Sequence, residues 1–158
     1  MQQKITTFLW FDQQAEEAVQ LYTSIFDDSR VIDVQRYGEV GPGEEGSVMT
    51  IEFELAGQRY LALNGGPEYR FNEAISLYVN CDSQQEVDHY WSKLTADGGQ
   101  EVECGWLKDR YGLFWQIVPR VLTELLADPD RARSQRAMKA MLGMKKLDIQ
   151  ALRAAADG

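Results

Sequence analysis

Residues 5–11, ITTFLWF, are β-branched and aromatic, and Asp12 follows as a helix N-cap for the stretch AEEAVQLYTSIF. Within that stretch Ala15, Ala18, Val19, Tyr22 and Phe26 recur at spacings of three and four, the pattern of an amphipathic helix. Three strand-like runs come next: RVIDVQRYG, SVMTIEFELAG and QRYLALNGG. The turn segments EVGPGEEG and AGQ separate them. The order of elements is therefore βαβββ.

The pattern then begins again. EAISLYVNCD reads as a strand closing on an acidic residue, and SQQEVDHYWSKLTADGG as a helix stopped by Gly98 and Gly99. QEVECGWLKD and GLFWQIVP supply two or three further short strands, the last closed by Pro119. Phe11-Asp12 matches Cys81-Asp82, and Glu17, Leu21, Tyr22 and Ile25 match Glu86, Tyr90, Trp91 and Leu94 at a constant offset of 69 residues. Two such units, about 4–64 and 74–119, define an α+β domain over 1–119. Their pairing predicts a half-open barrel with helices outside and a cavity within.

After Pro119 the chain becomes rich in Ala, Leu, Met and Arg, and Pro129 divides it into two or three helices. Residues 120–158 thus read as a helical C-terminal extension. Arg131, Arg133, Arg136, Lys139, Lys145 and Lys146 bunch there beside an apolar stripe of Ala132, Met138, Met141 and Leu142. Such a helix docks on its own domain or on a dimer partner with its basic face solvated, or it recognises a partner protein.

Composition narrows the function classes. With 158 residues, 44% apolar and 26% charged, the chain is an ordinary globular protein that needs neither disulfides nor metals to fold. A formal net charge of -9 repels phosphate backbones and anionic membranes, so neither nucleic acid nor membrane is an expected partner. No apolar run is long enough to span a bilayer and the N-terminus lacks a signal-peptide pattern, which predicts a cytoplasmic protein. Cys81 and Cys104 are expected as free thiols, and a single histidine, His89, rules out a His-rich metal site.

Three segments, ITTFLWFDQQAEEAVQLYTSIF, RYGEVGPGEEGSVMTIEFELAGQRYLALNGGP and CGWLKDRYGLFWQIVP, resemble the vicinal oxygen chelate superfamily, which includes glyoxalase I, extradiol dioxygenases and bleomycin-resistance proteins. The resemblance spans residues 4–119 and is nearest to the PhnB-like branch, often labelled 3-demethylubiquinone-9 3-methyltransferase. The Gly-rich strand-to-helix turn expected of a nucleotide-like cofactor site is absent from the sequence. Catalytic members usually hold a divalent metal with His, Glu or Gln side chains. Carried over, those positions fall at or near Thr6, Asn64 (or Ala62), Ser76 and Gln116, of which Gln116 alone is a usual ligand type. Neutral hydroxyls and amides make a weak Zn²⁺ or Fe²⁺ site, so no metal and no other cofactor is expected.

The same carry-over and strand alternation put Thr6, Phe8, Trp10, Ser76, Tyr78, Phe114 and Gln116 on the cavity side, with Asn64 and Trp106 nearby. These aromatics either fill the barrel or form a site for an aromatic or apolar small molecule. No residue is assigned a catalytic role. Cys104 has only Lys108 nearby as a base, and Lys108 with Asp109 also reads as a turn ion pair. Asn64-Gly65-Gly66-Pro67 reads as the loop between repeats rather than a phosphate cradle, since no helix start follows it. The segment EVGPGEEG is a flap over the pocket mouth or plain hairpin slack. The resulting expectation is a metal-independent small-molecule binding protein, homodimeric because superfamily repeats often pair across subunits. Its rivals are a lyase or isomerase with a weakly held metal, a methyltransferase, and an interaction module using the helical tail.

Overall fold

The computed structural model describes residues 3–158, which divide into two compact units with the boundary between Phe71 and Asn72. In the first, the elements run β1 (Thr7–Phe11), α1 (Ala15–Ile25), β2 (Arg30–Arg36), β3 (Val48–Leu55) and β4 (Gln58–Asn64). Their sheet has the order β1-β4-β3-β2, with β1 parallel to β4 and the other pairs antiparallel. Between β3 and β4 the turn is two residues, Ala56 and Gly57, both at positive φ (49° and 78°). That left-handed pair matches the twist of a tight hairpin.

The second unit repeats the topology with β5 (Ser76–Cys81), α2 (Gln84–Thr95), β6 (Gln100–Glu101), β7 (Trp106–Lys108) and β8 (Phe114–Pro119), in the order β5-β8-β7-β6. Both sheets are open, four-stranded and mixed. This is the α+β architecture of tandem βαβββ units that the sequence pattern implies.

Each sheet buries one face under its helix. In the first unit Leu9, Phe11, Ile51, Phe53 and Ala62 meet Ala15, Ala18, Val19 and Tyr22 of α1, all nearly inaccessible. In the second, Leu107, Trp115 and Ile117 meet Val87, Trp91 and Leu94 of α2. Period-two burial on the strands and three-to-four spacing on the helices produce these two cores.

The two helices start differently, and here one expectation fails. Asp12 does not cap α1: the cap position is Gln14, which makes no side-chain cap bond. Instead Asn64, at the end of β4, accepts a hydrogen bond from the Ala15 N–H through Oδ1 (2.9 Å). The cap arrives from a distant strand, so local sequence could not reveal it. Helix α2 has a local capping box: Ser83 Oγ accepts from the Glu86 N–H (3.1 Å), and Glu86 Oε2 accepts from the Asp82 N–H (2.9 Å).

The extension forms α3 (Arg120–Leu126), α4 (Arg131–Leu142) and α5 (Ile149–Asp157), with Pro129 between the first two. It falls within the second unit, where Leu122, Leu147 and Leu152 bury Val118 of β8. Gln84 of α2 brackets the tail backbone, donating to Leu147 O (3.0 Å) and accepting from the Ile149 N–H (2.8 Å). Three of the six clustered basic residues are engaged: Arg133 pairs with Asp128 (3.0 Å) and Asp157 (2.6 Å) and Arg136 donates to Ala156 O (2.6 Å) within the tail, while Lys146 pairs with Asp88 (2.8 Å) of α2. No helix among the described residues is long and apolar enough to cross a membrane.

Candidate functional site

The helix-free face of the second sheet gathers most of the residues singled out in the sequence. Register pairs Ser76 with Phe114, Tyr78 with Gln116, Trp106 with Gln116 and Lys108 with Phe114, and directly opposed residues share a face. Ser76, Tyr78, Trp106, Phe114 and Gln116 therefore lie together. Gln116 Nε2–H donates to Ser76 Oγ at 2.9 Å, which fixes the amide. Tyr78 is 49% exposed, while Phe114, Trp106 and Gln116 are half-buried. Toward the end of β8 the face closes at Val118, which the tail covers.

Asp109 builds the turn that launches β8. Its Oδ1 accepts from the N–H groups of Tyr111 (2.8 Å) and Leu113 (3.1 Å), and Oδ2 accepts from Trp115 Nε1–H (2.9 Å). Buried to 1% exposure, this carboxylate is turned into the core, so it does not form the expected turn ion pair with Lys108. Strand alternation sends Lys108 the other way, with Nζ 6.0 Å from the Phe114 ring centroid on the helix-free face. Sequence reasoning had not placed Lys108 there. The signal was available, since Lys108 is two residues from Trp106.

In the first unit Phe8 and Trp10 also lie on the helix-free face, opposite Leu61 and Leu63, and Thr6 sits half-buried just before β1. Phe8 is 51% exposed. Trp10 is tied down by the following loop: its Nε1–H donates to Gly66 O (2.9 Å) and its ring meets Tyr69 edge-on at 4.9 Å. A β-carbon at Gly65 would lie 2.5 Å from this indole, so only glycine permits the approach. The same face carries an ion-pair ladder of Arg30, Glu52, Glu54 and Arg59, with Thr50 and the hydrogen-bonded Asp33 and Gln35 beside it.

Asn64 does not join these residues. The pairing of Phe11 with Asn64 sets it on the helix side, where its amide also donates to Glu16 Oε1 (3.1 Å) and Val48 O (3.1 Å). The adjoining glycines are engaged too, Gly65 N–H with Phe11 O (2.9 Å) and Gly66 N–H with Asp12 O (3.1 Å), so the loop offers no phosphate cradle.

Comparison with known proteins places this geometry in a family. The model for 3-demethylubiquinone-9 3-methyltransferase matches residues 3–118. Among solved structures, the chain is similar to a protein from Bacillus cereus described as PhnB, at 40% identity over 74% of this chain and 99% of that one, with a TM-score of 0.68. The chain belongs to this family, the PhnB-like branch of the vicinal oxygen chelate superfamily. A protein from Pseudomonas aeruginosa shares the fold at 18% identity and a TM-score of 0.61, covering 75% of this chain and 98% of that one. No curated protein matches. The PhnB-like match ends at 118, so the helical tail lies beyond it.

The register also tests the superfamily's metal positions on this PhnB-like chain. Phe11 opposite Asn64 corresponds to Cys81 opposite Pro119, and Phe8 opposite Leu61 corresponds to Tyr78 opposite Gln116. The first-unit counterpart of Gln116 is thus Leu61, which has no donor atom. Asn64 is spent at α1, Ser76 is bound to Gln116, and no group of three or more His, Cys, Asp or Glu able to hold a metal occurs among the described residues. The residues present do not fit a tightly held divalent metal.

A cleft of about 430 Å³ lies elsewhere in the first unit, between the α1 N-terminus, the 37–47 loop and the 64–68 loop. Asp12, Glu16, Glu44 and Glu68 line it against a single Arg36. The EVGPGEEG loop borders this cleft and is ordered by Tyr37 N–H to Ser47 O and Gly46 N–H to Tyr37 O, both 2.9 Å. Of the two thiols, Cys81 is buried, and desolvation first, then the Glu86 and Asp82 carboxylates, push it up to about 12. It stays protonated and inert. Cys104 lies in the turn before β7 at φ 60°, its N–H held by Met144 O (2.8 Å). His89 is exposed on α2 beside Tyr90.

Proposed function

We propose that this chain binds a planar aromatic or apolar small molecule on the helix-free face of its second sheet, without a tightly held metal. The observation that carries the reading is the Ser76–Gln116 hydrogen bond set among Tyr78, Trp106 and Phe114. Aromatic walls with a few fixed polar groups are the ordinary makeup of a small-molecule site. Membership of a superfamily whose members act on small molecules supports the same reading. The family description names a methyl transfer, and membership alone supports bringing that to this chain. The strand-to-helix turns, FDQQA and CDSQ, hold no glycine for a nucleotide-like cofactor.

Elemental analysis of protein purified without chelators, followed by fluorescence titration with N-phenyl-naphthylamine in EDTA, tests the proposal. Metal-free protein that binds the probe is the expected result. Stoichiometric Zn, Fe, Mn or Ni lost on Gln116→Ala would overturn it in favour of a metal-dependent lyase or isomerase. A homodimer completes the reading and is checked by light scattering. The tail contributes to docking on its own unit rather than to partner recognition, a reading supported by the three basic side chains engaged within the fold.

A further inference from the structure

The second sheet's helix-free face carries Ser76, Tyr78, Asn80, Phe114, Gln116, Val118, Trp106, Lys108 and Gln100 by register, and Lys108 is the only charged side chain among them. Glu101 pairs with Leu107 on the other face and accepts from Trp91 Nε1–H of α2 (2.7 Å). Asp109 is turned into the core. A chain with a net charge of -9 thus sets one cation on this face, over an aromatic ring and without a carboxylate partner among the described residues.

The neutral groups beside it lean the same way. Trp10, Trp91 and Trp115 commit their indole N–H groups to Gly66 O, Glu101 and Asp109, whereas Trp106 commits its own to no acceptor among the described residues. Tyr78 and Asn80 add donors on exposed positions. By contrast, the equivalent face of the first unit neutralises its cations internally, through Arg59 with Glu52 and Glu54 and Arg30 with Glu54.

Resting on the binding reading above, we infer that the ligand of this face is an aromatic anion: a planar ring system bearing a carboxylate, sulfonate or similar acidic group. The ring lies against Trp106, Phe114 and Tyr78, and the acidic group meets Lys108. An ammonium held beside low-dielectric aromatic surface attracts an anion more strongly than it would in open water, and a cation 6.0 Å from a ring centroid, at the far limit of a cation–π contact, loses little by turning to it.

A matched pair of probes tests this on the full chain: anilinonaphthalene sulfonate and neutral N-phenyl-naphthylamine, which share their rings and differ in the sulfonate. Lys108→Gln is expected to weaken the sulfonate probe about fivefold and to change the neutral one by less than about twofold, with Lys108→Arg restoring the sulfonate affinity. Added salt should weaken only the sulfonate. If Lys108→Gln weakens both probes equally, or neither, while the neutral probe still binds, the charge assignment is overturned and the site survives. If neither probe binds the parent chain, the site and the inference both fall. A thermal melt of each variant shows that it remains folded.

Discussion

On the helix-free face of the first sheet, Arg59 reaches Glu52 at 3.2 Å and Glu54 at 3.8 Å, Arg30 reaches Glu54 at 3.1 Å, and Trp10 is shut under Tyr69. On the same face of the second sheet stand a Gln–Ser pair, three aromatic rings and one lysine. The strand order is the same, down to the parallel pairing of the first and last strand in each unit. The chemistry is not. A ladder of mutually satisfied ions has nothing left to offer a ligand, whereas orienting amides, a free indole N–H and an unpaired ammonium do. The scaffold repeats, while the side chains on this face do not.

The widest separation between the units should come from Asp109. Asp109→Ala leaves three donors, two of them buried, without their acceptor, so the second unit should lose roughly 3 kcal/mol in denaturant unfolding, and Asp109→Asn part of that. In alkali each unit carries a group that burial pushes up, Tyr60 in the first and Cys81 in the second. Below pH 9 Cys81 is protonated whether folded or unfolded and contributes nothing pH-dependent. Between its ordinary value of 9.0 and the folded value of about 12 the unfolded thiolate forms first, so stability falls as pH rises. Cys81→Ala should flatten that decline; its first-unit counterpart, Phe11, has no proton to lose.

Asn64→Ala should cost about 2 kcal/mol through the lost α1 cap and the bond to Val48 O, yet leave naphthylamine affinity unchanged. A parallel loss of affinity would return Asn64 to the site. Phe114→Ala should weaken the naphthylamine about tenfold, or ~1.4 kcal/mol, and Phe8→Ala less than about twofold. The smallest effect belongs to the ladder itself: Glu52→Gln should change stability by less than ~0.5 kcal/mol, because both partners are partly exposed.

Period-two and three-to-four spacing made the βαβββ order, the repeat and the tail helices legible, since those patterns are the cores themselves. Alternation grouped Thr6, Phe8 and Trp10 and, separately in the chain, Ser76, Tyr78, Phe114 and Gln116 toward an expected cavity; register sets Phe8 with Trp10, and the second group, on the side of their own sheets away from α1 and α2. What escaped were relations set by pairing register. Asn64, carried over by resemblance alone, was given no face, and only its position opposite Phe11 reveals that it lies toward α1. The N-cap was sought at Asp12 because capping is ordinarily local, and here it comes from β4. Lys108 was read against its neighbour in sequence, Asp109, when its neighbour in space is Phe114.

The most direct test of the account is the set of indole N–H resonances in a two-dimensional NMR titration with N-phenyl-naphthylamine in EDTA. The four tryptophans report on different places: Trp10 on the first sheet's face, Trp91 and Trp115 on the core beneath α2, and Trp106 on the proposed site. The account predicts a saturable shift of the Trp106 Nε1–H signal with Trp10 unmoved. Saturation at Trp10 with Trp106 silent would contradict it.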